Sequence, residues 1–106
     1  MSKTLSRYAI LFGEASKYWD SWDTRTNLEF IGIVEDRCNR RLKEKGCLYL
    51  NEVYEMLDVP KTKAGECVGW VKDSKYGDGF VSLDIIGILN YKNFVLDFNV
   101  DGMIKY

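Results

Sequence analysis

Phe94-Val95-Leu96-Asp97-Phe98-Asn99-Val100 alternates without a break. Phe94, Leu96, Phe98 and Val100 fall on one side of an extended chain, and Asp97 and Asn99 fall on the other. Successive strand side chains point to opposite faces, so a period of two marks an antiparallel strand with one face in a core. That face needs a second layer. Just upstream, Phe80 to Ile88 repeats the pattern, with Val81, Leu83 and Ile85 on one face and Ser82 and Asp84 on the other. Leu89 to Asn93 turns the chain between the two strands, and Asp101-Gly102 closes the second. Val68-Gly69-Trp70-Val71 reads as a third strand, followed by a turn-rich loop from Ser74 to Gly79.

The second layer is legible between Thr26 and Gly46. Leu28, Ile31, Val34, Cys38 and Leu42 recur at helical spacing, and Phe30 and Ile33 widen the stripe. Thr26-Asn27-Leu28-Glu29 has the form of a capping box, in which the Thr oxygen and the Glu carboxylate each take up a backbone N–H. Asp36 and Arg40 stand four apart and can pair on the outer face. Arg40, Arg41, Lys43 and Lys45 suit a negative helix end, and Gly46 suits a left-handed cap. The spacing predicts a helix from about 27 to 45.

Cys47 to Leu50 is a short extended segment. Asn51 then reads as the N-cap of a second helix, with Glu52 in its first turn and Val53, Met56 and Leu57 as its apolar face. Pro60 stops it. At the other end, Tyr8 to Phe12 reads as a strand, Gly13 to Ser16 as a turn and Lys17 to Trp19 as its return. Residues 14–22 fit a helical turn as well. The expectation is one α+β domain over residues 1–106, an antiparallel sheet packed on one long helix, in the order ββαβαβββ.

Composition narrows the function. The chain has 106 residues, 46% of them hydrophobic, with 15 basic and 16 acidic side chains and a net charge of −1. This balance is neither the basic signature of a nucleic-acid binder nor the strong acidity of a DNA mimic. Histidine is absent, which removes the commonest general base near neutral pH and the commonest metal ligand. Cys38, Cys47 and Cys67 are odd in number and widely spaced, so they read as free thiols of a reducing compartment rather than a disulfide frame or zinc site. No apolar run approaches the roughly 18 residues of a membrane span, and no signal-peptide pattern follows Met1.

One segment resembles a known family. It runs Leu50-Asn51-Glu52-x-Tyr54-x-x-Leu57, then Thr62-x-x-Gly65-x-x-x-Gly69-Trp70. This is similar to the C-terminal region of an uncharacterised protein family of bacteriophages and prophages of Firmicutes. Asn39-Arg40-Arg41-Leu42, Val81-Ser82-Leu83-Asp84 and Val95-Leu96-Asp97-Phe98 are similar to its helix end and closing strands. The resemblance covers about Tyr8 to Asp101. It implies a phage or prophage origin and a bacterial host cytoplasm as the setting. It implies no catalytic residue. Longer members carry an N-terminal apolar hairpin for membrane insertion, which this sequence lacks.

Candidate chemistry is sparse. Asp84 and Asp97 can share a sheet face, as acid–base pairs do, but no nucleophile or ligand set accompanies them, and they read instead as solvated sheet-face carboxylates. The glycines match neither phosphate-loop pattern. Tyr8, Phe12, Tyr18, Trp19 and Trp22 crowd one short segment, either as core or as an interface. Of these, Tyr18, Trp19 and Trp22 are the candidate protein-binding residues. A winged-helix reading competes: Lys61 to Val68 would begin a recognition helix, Ser74 to Gly79 would be the wing, and Lys61, Lys63 and Lys75 would meet nucleic acid. The expected function is a non-catalytic accessory protein that needs no cofactor or metal. It binds a virion component or a host factor such as a defence enzyme.

Overall fold

A computed structural model describes residues 6–73, 75, 77–89 and 92–104. The elements run β1 (Ile10–Gly13), α1 (Thr24–Lys45), β2 (Cys47–Tyr49), α2 (Leu50–Leu57), β3 (Val68–Val71), β4 (Leu83–Leu89), β5 (Asn93–Phe98) and β6 (Gly102–Met103). The class is α+β, but the strands form two antiparallel sheets. One has the order β1-β5-β4 and the other β2-β3-β6. The order is therefore βαβαββββ, not the expected ββαβαβββ.

The initial hairpin is absent because residues after Gly13 bind elsewhere. The Ser16 hydroxyl donates to the Leu57 carbonyl at 2.7 Å, and the Lys17 N–H donates to the Asp58 carboxylate at 2.8 Å. Asp58 is the left-handed cap of α2, at φ 54°. The segment thus covers the C-terminal end of a helix, where carbonyls lack partners, rather than returning along β1.

α1 begins three residues earlier than the sequence suggests. Its cap is Asp23, whose carboxylate accepts the Arg25 N–H. The expected capping box does not form at Thr26, because the helix already starts at Thr24 and Thr26 lies inside its first turn. The helix ends as expected, with Gly46 left-handed at φ 85° and its N–H on the Leu42 carbonyl. Ile31, Val34, Cys38 and Leu42 are buried, while Leu28 and Ile33 stay exposed. α2 begins at Leu50, so Asn51 is not its cap. Glu52 reaches back to the Tyr49 N–H at 2.8 Å.

The alternation of β5 holds. Phe94, Leu96 and Phe98 are buried in the core with Phe12, Leu48, Leu50, Tyr54, Leu57 and Trp70. The opposite face is less bland than expected. Asp97 is only 4% exposed, because the Ser6 N–H and hydroxyl both donate to its carboxylate. The Asn99 side chain is a junction. It accepts from Trp70 Nε1 and the Ser82 N–H, and it donates to Asp78 and the Phe80 carbonyl.

Three helix asparagines each hold one loop residue by both its N–H and its C=O. Asn27 holds Asp20 at 2.7 and 2.8 Å, Asn39 holds Val81 at 2.7 and 2.9 Å, and Asn51 holds Thr62 at 2.9 and 2.8 Å. A primary amide carries one acceptor and one donor side by side, so it can mimic a strand partner for a single residue.

The segment from Leu50 to Trp70 is built around the third clasp. The Thr62 hydroxyl accepts the Gly65 N–H, and a Cβ at Gly65 would overlap the Asn51 side-chain oxygen. A Cβ at Gly69 would overlap the Leu48 carbonyl on neighbouring β2. Leu50, Tyr54, Leu57 and Trp70 are buried, and the Tyr54 hydroxyl donates to the Tyr8 carbonyl at 3.1 Å. The motif residues that carry the family resemblance therefore make architecture.

Candidate protein-binding surface

Between β1 and α1 the chain makes turns whose shape Asp20 and Asn27 set. The Asp20 backbone is clasped by buried Asn27. The Asp20 carboxylate in turn accepts the N–H groups of Trp22 and Asp23, at 2.8 and 3.1 Å. Such an Asx turn fixes the backbone locally. Asp23 then caps α1, so one continuous set of hydrogen bonds runs through the turn into the helix. Trp22 sits on this turn with 96% of its surface open.

The other two candidates divide. Trp19 packs edge-on against Phe12 and Phe94, at 5.6 and 5.1 Å between ring centres, and belongs with the core. Tyr18 stacks on Phe30 at 5.0 Å while staying 44% exposed, and Lys17 lies over its ring. Beside Tyr18 a groove of about 300 Å³ opens between the helices, floored by Phe30 and Met56 and walled by Arg37, Arg41, Glu52 and Glu55. Glu52 pairs with Arg41 at 3.4 Å and with Lys45 at 3.8 Å. The basic end of α1 is thus partly committed within the fold.

The nucleic-acid candidates are not brought together as a winged helix requires. Lys61 to Val68 holds only a 3-10 turn, Ala64–Glu66, before β3 starts. Lys61 pairs with Glu55 at 3.3 Å, and Lys63 and Lys75 are exposed on separate loops. The expected wing lies partly outside the described residues, at positions 74 and 76.

Asp84 and Asp97 do face each other across β4 and β5. Each is held in place: the Ser82 hydroxyl donates to Asp84, and Ser6 covers Asp97. The cysteines lie apart in environment, with Cys38 buried, Cys47 half-buried and Cys67 exposed. Burial, with Glu35 adding to it, pushes the Cys38 thiol up to about 12. Among the described residues no group of three or more His, Cys, Asp or Glu could hold a metal ion, and no helix is long and apolar enough to cross a membrane.

The sequence flagged the aromatic segment but could not sort its members. The asparagine clasps went unread, because Asn51 reads as a helix N-cap and Asn27 falls at an unspecified position of the Thr26–Glu29 pattern. Their signal was the placing of a poor helix former inside helices, as with Asn39.

No curated protein and no solved structure gives a significant match. The family comparison does match: residues 1–106 fit the model of a family of unknown function, DUF6353, and the chain belongs to that family.

Proposed function

We propose that this is a small accessory protein of phage or prophage origin that acts in the host cytoplasm by binding another protein, without catalysis. One observation carries the reading: Trp22 stands 96% exposed on a turn fixed by Asp20, Asn27 and Asp23. Leaving an indole in water forfeits its burial energy, and holding it on a preformed turn lowers the ordering cost of binding. Tryptophan anchors of this kind are enriched among the residues that dominate interfaces. Tyr18, with Phe30 and Met56 in the adjoining groove, supplies further apolar contact. The partner is a virion component or a host factor such as a defence enzyme. The origin and setting rest on the sequence resemblance.

Affinity capture from a Firmicute host lysate tests this, comparing wild type with Trp22→Ala and with the Lys61→Glu, Lys63→Glu double variant. Capture of a specific protein should fall about thirtyfold or more with Trp22→Ala, the equivalent of about 2 kcal/mol. It should survive the lysine reversals. Equal capture by wild type and Trp22→Ala overturns the assignment. Salt-dependent retention of duplex DNA, lost on lysine reversal, would establish the nucleic-acid reading instead.

A further inference from the structure

The parts of the groove between α1 and α2 are fastened to one another. The Ser16 hydroxyl accepts the Tyr18 N–H at 3.2 Å and donates to the Leu57 carbonyl at the end of α2. The Tyr18 ring stacks on Phe30, and Phe30 stacks on buried Phe12 at 5.6 Å. Arg41 of α1 reaches Glu52 of α2. Phe30 and Met56 therefore floor a hollow that exists before anything enters it, and a preformed site lowers the ordering cost of binding. A second hollow of about 150 Å³ adjoins it along α1. The two share Arg37, Arg41 and Met56, and the second adds Arg40 and Glu44.

The charges around these hollows do not balance. Glu52 is taken by Arg41 and Lys45, and Glu55 is taken by Lys61. Among the described residues neither Arg37 nor Arg40 has an ion-pair partner, and the Asp36–Arg40 pair that their spacing allows is not made. Five cations thus stand against three carboxylates, Glu44, Glu52 and Glu55, on a chain that is net negative. A guanidinium presents a planar fork of N–H donors that fits a carboxylate through two parallel bonds.

We infer that this groove receives a short acidic segment of the partner protein, with an apolar side chain on Phe30 and Met56 and carboxylates on Arg37 and Arg40. The inference rests on the protein-binding reading above and supplies the chemistry of the partner. From Phe30 to Arg40 the helix rises about 15 Å, the span of about five extended residues. The segment therefore carries its apolar residue and its acid within that length. Nucleic acid fits the groove less well. A phosphate chain carries a charge on every unit and would run against Glu44, Glu52 and Glu55, while its backbone offers nothing to the apolar floor. One or two carboxylates beside an apolar side chain match both the excess cations and the floor.

Selection from a random library of short peptides on the immobilised whole chain provides the test. Selected peptides should pair an apolar residue with Asp or Glu within about five positions. An Arg37→Glu, Arg40→Glu double variant should bind them about tenfold or more weakly than wild type by fluorescence anisotropy. Lys43→Glu with Lys72→Glu makes the same change of charge outside the groove and should bind as wild type does. Circular dichroism checks each fold. Should the arginine variant fail to fold, amide shifts on wild type serve instead: those of Arg37, Arg40 and Met56 should move with added peptide, and that of Val68 should not. A library that yields no binder, selected peptides without acids, or binding indifferent to the arginine reversal overturns the proposal. So does a groove that proves to hold duplex DNA, or a second copy of this chain released by the same reversal. If lysate capture still depends on Trp22 in any of these cases, the protein-binding reading stands and the groove assignment alone falls.

Discussion

Two loops in this protein are held in the same way and put to opposite uses. Asn51 clasps Thr62 and Asn27 clasps Asp20, each through one N–H and one C=O of the loop residue. Beyond the first clasp the chain runs to Trp70, which is fully buried and bonded through Nε1 to Asn99. Beyond the second it displays Trp22 to water. An indole is therefore no guide to core or surface by itself. What differs is where the clasped backbone leads: into β3, pressed against β2 at Gly69, or into the exposed first turn of α1.

The sharpest way to break this contrast is to truncate both indoles. Trp70→Ala should destabilise by about 3–5 kcal/mol, since it opens a large cavity and removes one of the two donors to the Asn99 side-chain oxygen. Trp22→Ala should stay within about 0.5 kcal/mol of wild type, as for surface changes in general. Urea unfolding of both variants measures the gap. A Trp22→Ala loss close to that of Trp70→Ala would move Trp22 into the core and remove the basis of the proposed binding surface.

A second comparison sharpens the clasps themselves. Asn27 is 1% exposed, so Asn27→Ala strands the Asp20 backbone groups where water reaches them poorly, and it should cost about 2–3 kcal/mol. The bonds of Asn51 to Thr62 are open to solvent, which can replace them. Asn51→Ala should cost about 1 kcal/mol. Asn27→Ala should also weaken partner capture by loosening the Trp22 turn, which Asn51→Ala should not do. Equal losses from the two substitutions would mean that burial does not set the strength of a clasp.

A last effect is expected only in alkali. Burial pushes the Cys38 thiol from about 9 up to about 12, and the Tyr54 hydroxyl from about 10 up to about 12. In the unfolded chain both ionise earlier, so above about pH 9 the folded state holds more protons. Stability should be flat below that and fall as pH rises through 9 to 12. Chemical denaturation at a series of pH values follows it. Ellman's reagent at pH 8 adds a kinetic order: Cys67 first, Cys47 next, and Cys38 only on unfolding, as their exposure dictates. Stability that rises above pH 9 would contradict the burial of both groups.

The elements easiest to read were those whose signal is local. The two-residue alternation of Phe94 to Phe98 and the helical stripe of Ile31, Val34, Cys38 and Leu42 both predict the buried face correctly. The division into two sheets was not legible. β4 follows β3 in sequence yet pairs with β5 in the other sheet, and strand adjacency of that kind depends on long-range contacts. Nor was the division among Tyr18, Trp19 and Trp22. Their identities are alike, and bonds to distant residues such as Ser16–Leu57 and Asn27–Asp20 hold the backbone that carries each ring. The long-range asparagine bonds escaped for the same reason: an asparagine inside a helix can hint at a bond, but nothing beside Asn39 names a partner 42 residues away.

The placing of β5 between β1 and β4 governs how the chain can be made. β1 lies near the start of the sequence, yet its register partner for Ile10 is Leu96. A ribosome must release the chain through β5 before the first strand finds its mate. Until then α1 lacks its β4 flank as well, since Glu35 and Asn39 wait for residues 81 and 83. Folding during synthesis cannot proceed stepwise from the N-terminus. A nascent chain stalled before residue 93 would carry an unpaired apolar strand and a half-covered helix, and would depend on chaperones or rapid completion to escape aggregation.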